Sequence, residues 1–405
     1  MRILFLNHNL REQGTWFRVC DAARLMARRG HDCVLYTVSQ KHWYRPTRDM
    51  WEGVELREGP SWNPWLHPDD GWNPIDIGWR GFRALVEKCD VVYAFAHPPN
   101  VYLPARIMSL LRRKPVFVDW CDLYQGGIFT MREADRQRHG ARGFRPWLTR
   151  KAEAVEARLE RRILKWSRGI TVISSALEKQ AIEWGVAPEK IMRLPSWANL
   201  ETFRPFNKTE CRKEFGLKAD GIYFVYIANY NPDEKLLLDA FAKVLEQHPD
   251  VRLLARCPRF EINRPDREKL EARIHYFDRM PLDKIVRLLG AGDANLLPMS
   301  DHPHNHFRWP HKFGDYLASG RPIISTHVGD TAAFFDNNDE EDRIGFAAEP
   351  KADAYAGTIL EFLDEQDQWD RMGKNARSCA EKNLSGEQLM ESLEGFIKSR
   401  LGKRP

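Results

Sequence analysis

Ile3-Leu4-Phe5-Leu6, a polar loop with Gly14, an apolar stripe ending at Gly30, and Cys33-Val34-Leu35-Tyr36-Thr37-Val38 form the stretch that decides the fold. The two continuous apolar runs, each too short for a helix, are of the kind buried on both faces of a parallel sheet. Between them Phe17, Cys20, Ala23, Leu25 and Ala27 give an apolar helical face, and Gly30 suits a helix C-terminus. The same rhythm continues outward. Strands at Val91–Phe95, Pro115–Val118 and Gly169–Ile173 alternate with a helical stretch around Leu103–Leu111 and a charged helix over 151–168. Such alternation predicts a doubly wound parallel sheet.

A second series opens at Ile222–Ala228. It continues with a helix at Lys235–Gln247, strands at Val251–Ala255, Ile274–Phe277, Ala294–Leu297 and Pro322–Ser325, and a helix at Lys312–Ser319. Two domains suit a chain of 405 residues, which is too long for one ordinary core. The expected fold class is therefore α/β: two Rossmann-like doubly wound parallel-sheet domains facing a cleft. The expected division is 1–195, 196–385, and a final amphipathic helix within 386–405 returning to the N-terminal domain. Residues 41–80 break the rhythm, with tryptophans 43, 51, 62, 65, 72 and 79 set among Pro, Gly and Asp. The segment reads as an irregular insertion: a lid, a sugar- or membrane-facing loop, or a satellite cluster packed on the domain.

A hydrophobic content of 43% excludes wholesale disorder. No apolar run approaches the roughly 18–20 residues of a membrane span, and the apolar start is too short for a signal peptide. Seven scattered cysteines without a CxxC pair imply reduced thiols and a cytoplasmic chain, with neither a disulfide frame nor a zinc site. The net charge of +5 hides an asymmetry: residues 1–200 carry 32 Lys/Arg against 22 Asp/Glu, and 201–405 carry 30 against 35. Residues 101–170 alone hold 16 against 7. That excess fits peripheral contact with an anionic membrane or a phosphate-linked acceptor, or else the solvated face of a long helix. No nucleic-acid-binding signature accompanies the charge.

A parallel sheet invites a dinucleotide, which needs G-x-G-x-x-G after a strand. The first loop, Asn7–Thr15, has one glycine, and Asn229-Tyr230-Asn231-Pro232 has none. A P-loop Gly-Lys-Ser/Thr is also missing, so NAD and ATP chemistry are disfavoured.

Four stretches in order carry a family resemblance. Gly14-Thr15 with Ala27-Arg28-Arg29-Gly30-His31 resembles the opening of GT-B glycosyltransferases. Val172–Leu177 is similar to their last N-domain strand and following helix, and Leu194–Pro205 to their interdomain hinge. Most specific is Pro310-His311-Lys312-Phe313-Gly314-Asp315-Tyr316-Leu317-Ala318-Ser319-Gly320-Arg321-Pro322, which resembles the donor motif of the GT4-like group. The resemblance implies hexosyl transfer from a UDP- or GDP-sugar, used as substrate with no further cofactor, to a lipid-linked, polysaccharide or other glycan acceptor. It also implies retention of configuration.

Helix physics supports a donor site there. Pro310 suits a helix start, the unpaired amides of that first turn favour an anion such as a diphosphate, and Lys312 adds a cation. Asp315 lies on the same face as Lys312, where the resemblance implies a carboxylate on the ribose hydroxyls; a surface ion pair is the plainer alternative. The family's second glutamate, eight residues earlier, is replaced by Phe307. That leaves Asn305, His306, Arg308 and His311 as donor contacts in a rebuilt loop. Asn229, Lys235 and Arg256 are further donor candidates, and Gly14-Thr15 would let backbone approach the diphosphate or sugar.

On the acceptor side, Asp119-Trp120-Cys121-Asp122-Leu123-Tyr124-Gln125-Gly126-Gly127 follows the strand ending at Val118. Strand exits of this kind face the ligand crevice. Asp122 or Asp119 would act as general base in direct displacement, or orient the acceptor in a retaining reaction. Trp120 and Tyr124 offer aromatic contacts and Gly126-Gly127 an amide nest, while His97 ends the strand Val91–Phe95 nearby. Turn-capping aspartates and a turn histidine are the structural alternatives. A metal is not required, since helix amides and Lys/Arg can neutralise the leaving diphosphate. Two other functions stay open: a sugar-nucleotide epimerase on the same fold, and a non-catalytic sugar-nucleotide-binding protein.

Overall fold

The computed structural model describes residues 1–63, 71–138, 143–229, 233–336 and 341–401. The chain divides into two compact units, Met1–Pro195 with Gly386–Pro405, and Ser196–Ser385. In the first unit the strands are β1 (Arg2–Leu10), β2 (Asp32–Val38), β3 (Thr47–Trp51), β4 (Val54–Gly59), β5 (Val91–Phe95), β6 (Val116–Trp120), β7 (Gly169–Val172) and β8 (Ile191–Arg193). Their order is β3-β4-β2-β1-β5-β6-β7-β8, parallel except for the β3–β4 pair. In the second unit β9 (Tyr223–Ile227), β10 (Arg252–Arg256), β11 (Ile274–Tyr276), β12 (Ala294–Leu297), β13 (Ile323–Thr326) and β14 (Gly345–Ala348) form a wholly parallel sheet. Its order, β11-β10-β9-β12-β13-β14, is the 3-2-1-4-5-6 winding of a dinucleotide-binding sheet.

Local chemistry accounts for several boundaries. Asn73 accepts the amides of Ile75 and Asp76 at 2.9 and 3.2 Å, and Pro74 opens the helix Pro74–Val86. Ser174 caps the helix Ser175–Glu183 through the amide of Leu177. The closing helix, Gly386–Leu401, belongs to the first unit, where Phe396 meets Phe117 edge-on and Arg29 pairs with Glu394 at 2.8 Å. In the second unit Phe224, Phe241, Leu253, Tyr355 and Phe362 form the centre of the core.

The segment 41–80 departs from the irregular insertion expected of it. It contains the β3–β4 hairpin, and β4 is the third parallel strand of the sheet. Val-Glu-Leu-Arg-Glu-Gly hid that role because its charged residues are buried and paired: Arg57 with Glu55 at 2.7 Å, Glu58 with Arg11 at 3.0 Å. Trp79 stacks on Tyr36, Trp43 is exposed, and Trp65 lies outside the described residues. The final strand of the first sheet is β8, not the strand before Ser174.

Gly345 opens β14 at φ 143°, and a Cβ there would lie 2.0 Å from the Ile323 carbonyl oxygen. Gly345→Ala is expected to destabilise the second unit by about 2–4 kcal/mol, from backbone strain and overpacking together. Urea unfolding followed by circular dichroism checks this.

Candidate functional site

In the second sheet the winding reverses between β9 and β12, the place where open α/β sheets hold ligands at their carboxyl ends. The helix His311–Ala318 is pinned to that point. Ile227, last in β9, donates its N–H to the Tyr316 hydroxyl at 3.0 Å, and its carbonyl accepts from Lys312 Nζ at 3.1 Å. Pro310 precedes the helix in extended geometry and gives no side-chain cap to its first-turn amides. Lys312 lies over the Tyr226 ring at 4.5 Å. Burial, and then the positive charge of Arg308, push its ammonium down to about 7, with Asp233 opposing. Asp315 is half-buried one turn along and His311 is exposed.

The other residues expected at this site divide into two groups. Arg308 stands 3.2 Å from Asp233 with a buried Nε that has no partner, and Arg256 donates to Asn229 Oδ1 at 2.6 Å, its own Nε likewise orphaned. These guanidiniums keep donors for a ligand. Asn305 does not: its buried amide is spent on Asp233 at 3.0 Å and on the Ser300 carbonyl at 2.9 Å. His306 pairs with Asp301 at 2.7 Å, and Lys235 reaches along its own helix to Asp239 at 2.6 Å with its side chain 89% exposed. Lys235 thus serves as the surface lysine that a helix start commonly carries. Asp233, absent from the expected set, is the hub: it accepts the Ser300 amide and hydroxyl, Asn305 and Arg308, and so holds the loop before the helix.

In the first sheet the reversal lies between β1 and β5, and there His8, His97 and Tyr124 converge. Tyr124 Oη is 3.4 Å from His8 Nε2, and the His97 ring meets Tyr124 edge-on at 4.5 Å. Ala96, at φ 65°, turns the chain into His97 through a conformation disfavoured for a residue with a Cβ. Burial drives both histidines down to about 3, so both rings are neutral. His8 Nδ1 and both His97 nitrogens are buried without hydrogen-bond partners. Buried polar atoms left this way need a reason, such as a water, an ion or the polar group of a ligand. Gly126 and Gly127 lie above in the turn Tyr124–Ile128, held from beneath by Glu160, which accepts Tyr124 N, Gln125 N and Trp120 Nε1 at 3.0, 3.1 and 2.9 Å. Gly14 and Thr15 begin the helix Trp16–Arg28, with Thr15 N donating to Asn9 Oδ1 at 2.9 Å and Thr15 Oγ1 to Asn7 Oδ1 at 2.8 Å.

Two residues expected on the acceptor side are instead tied into the interior. Strand β6 runs on to Trp120, so Asp119 and Trp120 sit inside the sheet on opposite faces rather than at its exit. Both carboxylate oxygens of Asp119 are taken, by Arg18 Nε at 2.8 Å, Arg18 Nη2 at 3.1 Å, Thr171 at 2.7 Å and Tyr93 at 3.3 Å. Trp120 is buried against Trp184 and Glu160. Asp122, past the strand end and half-buried, keeps the exit position.

Residues 13–197 match the family model described as Glycosyl transferase 4-like domain, and residues 207–379 match Glycosyl transferases group 1. The chain belongs to the GT4-like, group 1 glycosyltransferases. The enzyme has the GT-B architecture of several solved structures. Sucrose-phosphate synthase from Thermosynechococcus elongatus aligns at TM-score 0.72 and 14% identity, covering 98% of this chain and 99% of that one. Anabaena Alr3699/HepE, solved in complex with UDP-glucose, aligns at TM-score 0.68 and 15% identity over 98% and 100%. WaaG, a glycosyltransferase involved in lipopolysaccharide biosynthesis, aligns at TM-score 0.66 and 16% identity over 98% and 99%. No curated protein matches this glycosyltransferase significantly.

His8, Glu160 and Asp233 were not singled out in the sequence, where each stands within a polar or charged stretch. Only the position of His8, two residues past the Ile3–Leu6 run, offered a signal. For Asp119 the structure gives a direct expectation. Asp119→Ala leaves the Arg18 guanidinium buried without its counter-charge, and should destabilise the first unit by about 3–5 kcal/mol. A base on a substrate would instead lose turnover at unchanged stability, so thermal unfolding and activity measured together check the assignment.

Proposed function

We propose that this glycosyltransferase transfers a sugar from a nucleoside diphosphate sugar, gripped by the second unit, to a hydroxyl of a glycan or lipid-linked acceptor recognised by the first. The observation that carries the reading is the uncapped start of the helix His311–Ala318 at the switch point, with Lys312, Arg308 and Arg256 around it. Helix amides and cations together seat a diphosphate and stabilise the charge it gains on departure. Asp315, on the same helix face as Lys312, accepts the ribose hydroxyls. The UDP-glucose held by Alr3699/HepE supports a UDP-sugar donor.

In the reaction the acceptor oxygen bonds to the anomeric carbon as the bond to the diphosphate breaks. Asp119, with both carboxylate oxygens taken, is set aside as a general base, and in the retaining course the family resemblance implies, the hydroxyl proton passes to the departing diphosphate. Asp122 and the amides of the Gly126-Gly127 turn orient the acceptor. His8 Nδ1 and the two His97 nitrogens, on neutral rings and without hydrogen-bond partners, are offered to sugar hydroxyls.

Incubation with UDP- and GDP-sugars, followed by assay of free nucleoside diphosphate, tests the proposal. Slow release without acceptor and faster release with it are expected; an epimerised intact donor, or binding without turnover, overturns it. Asp315→Ala should weaken nucleotide binding about 10–100-fold, the loss of hydrogen bonds to a charged group, with unchanged circular dichroism. Lys312 predicts the pH dependence. Its folded value near 7 lies below the ordinary 10.5, so its unfavourable contribution to stability is fully present below pH 7 and is relieved as pH rises toward 10.5. A bound diphosphate raises that value. Binding above pH 7 therefore takes up a proton, and affinity falls with rising pH. Calorimetry at pH 8 in buffers of different ionisation enthalpy should show the uptake in the native enzyme and not in Lys312→Met.

A further inference from the structure

The helix Pro74–Val86 is inverted. Its buried face carries an ion pair, Asp76 with Arg80 at 2.8 Å, extended by Asn100 to Asp76 at 2.9 Å and by Arg80 to the Asn7 carbonyl at 2.7 Å. Its exposed face is uncharged: Pro74, Ile75, Gly78, Phe82, Leu85 and Val86. The neighbouring helix, Pro99–Arg112, meets it through Gly81, where a Cβ would touch Leu103 and Ile107. The two helices end side by side, because Arg112 donates to the carbonyl of Glu87. At that shared end Phe82, Leu85, Val86, Leu110 and Leu111 are each between 47% and 69% exposed. Five large apolar side chains gathered this way mark an interaction surface rather than scattered exposure.

We infer that this end of the first unit docks on an anionic lipid surface. The charges around the patch select that occupant. Lys88 and Arg113 are exposed and Lys114 half-buried. The nearby carboxylates are already engaged, Glu87 with Arg57 and Arg83, and Asp90 with the amide of Arg2. An apolar cluster with a cationic fringe enters the headgroup boundary by burying carbon and pairing ammonium and guanidinium groups with phosphate. A second copy is disfavoured, since a two-fold contact would set each basic fringe against itself. Among the described residues no helix is long and apolar enough to cross a membrane, so the contact is peripheral. The patch lies where the helices lead into β5 and β6, at the amino ends of the strands, and docking leaves the carboxyl-end site of this unit open. The inference does not depend on the donor chemistry.

Cosedimentation of the full chain with phosphatidylglycerol–phosphatidylethanolamine vesicles, against phosphatidylcholine vesicles, tests it. Partition to the anionic vesicles is expected, weakened by salt and by Arg113→Glu, and lowered at least about tenfold by Phe82→Glu with Leu111→Glu. Nucleoside diphosphate release, read in parallel, should be unchanged in these variants, which separates loss of docking from loss of the fold or the donor site. Absence of partition by the native chain, or equal partition by the variants, overturns the inference. So does concentration-dependent dimerisation in sedimentation velocity that the same substitutions abolish, because a second copy would then be the occupant.

Discussion

Ile227 ends β9 where the sheet can no longer pair it on one side. Strand β12 matches β9 only at Phe224 and Val225, so the peptide groups of Ile227 facing the reversal have no strand partner. The helix His311–Ala318 supplies one, through the Tyr316 hydroxyl and the Lys312 ammonium. The proposed donor site depends on this constraint. Buried backbone groups must be satisfied, and satisfying these brings the open end of a helix, with a half-buried cation, to the carboxyl edge of the sheet.

Lys312 shows how structure and chemistry share one side chain. It holds the strand end through a neutral acceptor, yet burial and Arg308 make its charge costly. A dianionic ligand would remove that cost. Asp233 plays the balancing part, keeping Ser300, Asn305 and Arg308 in place without cancelling the cations. The first unit follows a different plan. Its switch point is lined by neutral groups, and its strong charges, Arg18–Asp119 and Asp76–Arg80, are withdrawn into the interior as paired supports. Pairs of this kind position the backbone, and breaking one partner costs far more than the pair contributes. Withdrawing charge from the helix Pro74–Val86 is also what leaves its outer face apolar.

Much of this molecule was legible as pattern. Buried parallel strands announce themselves by continuous apolar runs, as at Ile3–Leu6 and Phe224–Tyr226, and the run from Pro310 to Pro322 combines a helix start, a cation and a carboxylate within one turn. Where strands carry charge, the pattern fails. The buried strand Val54–Gly59 reads as a polar loop because its partners, Arg11, Ser39 and Glu87, come from other segments.

Sequence alone therefore determined the α/β alternation, the family, and the placement of Lys312 and Asp315 on one helix face, since these are set by residues a few positions apart. Tertiary structure decided which chemistry-bearing residues stand at the carboxyl ends of the sheets and which are tied up in the interior. Asp119 and Trp120 lie only a few residues before Tyr124, yet β6 carries them into the interior. Arg18 meets Asp119 across 101 positions, and His8 meets Tyr124 across 116. Contacts at such separations arise from the winding of the sheet and leave no local period to read.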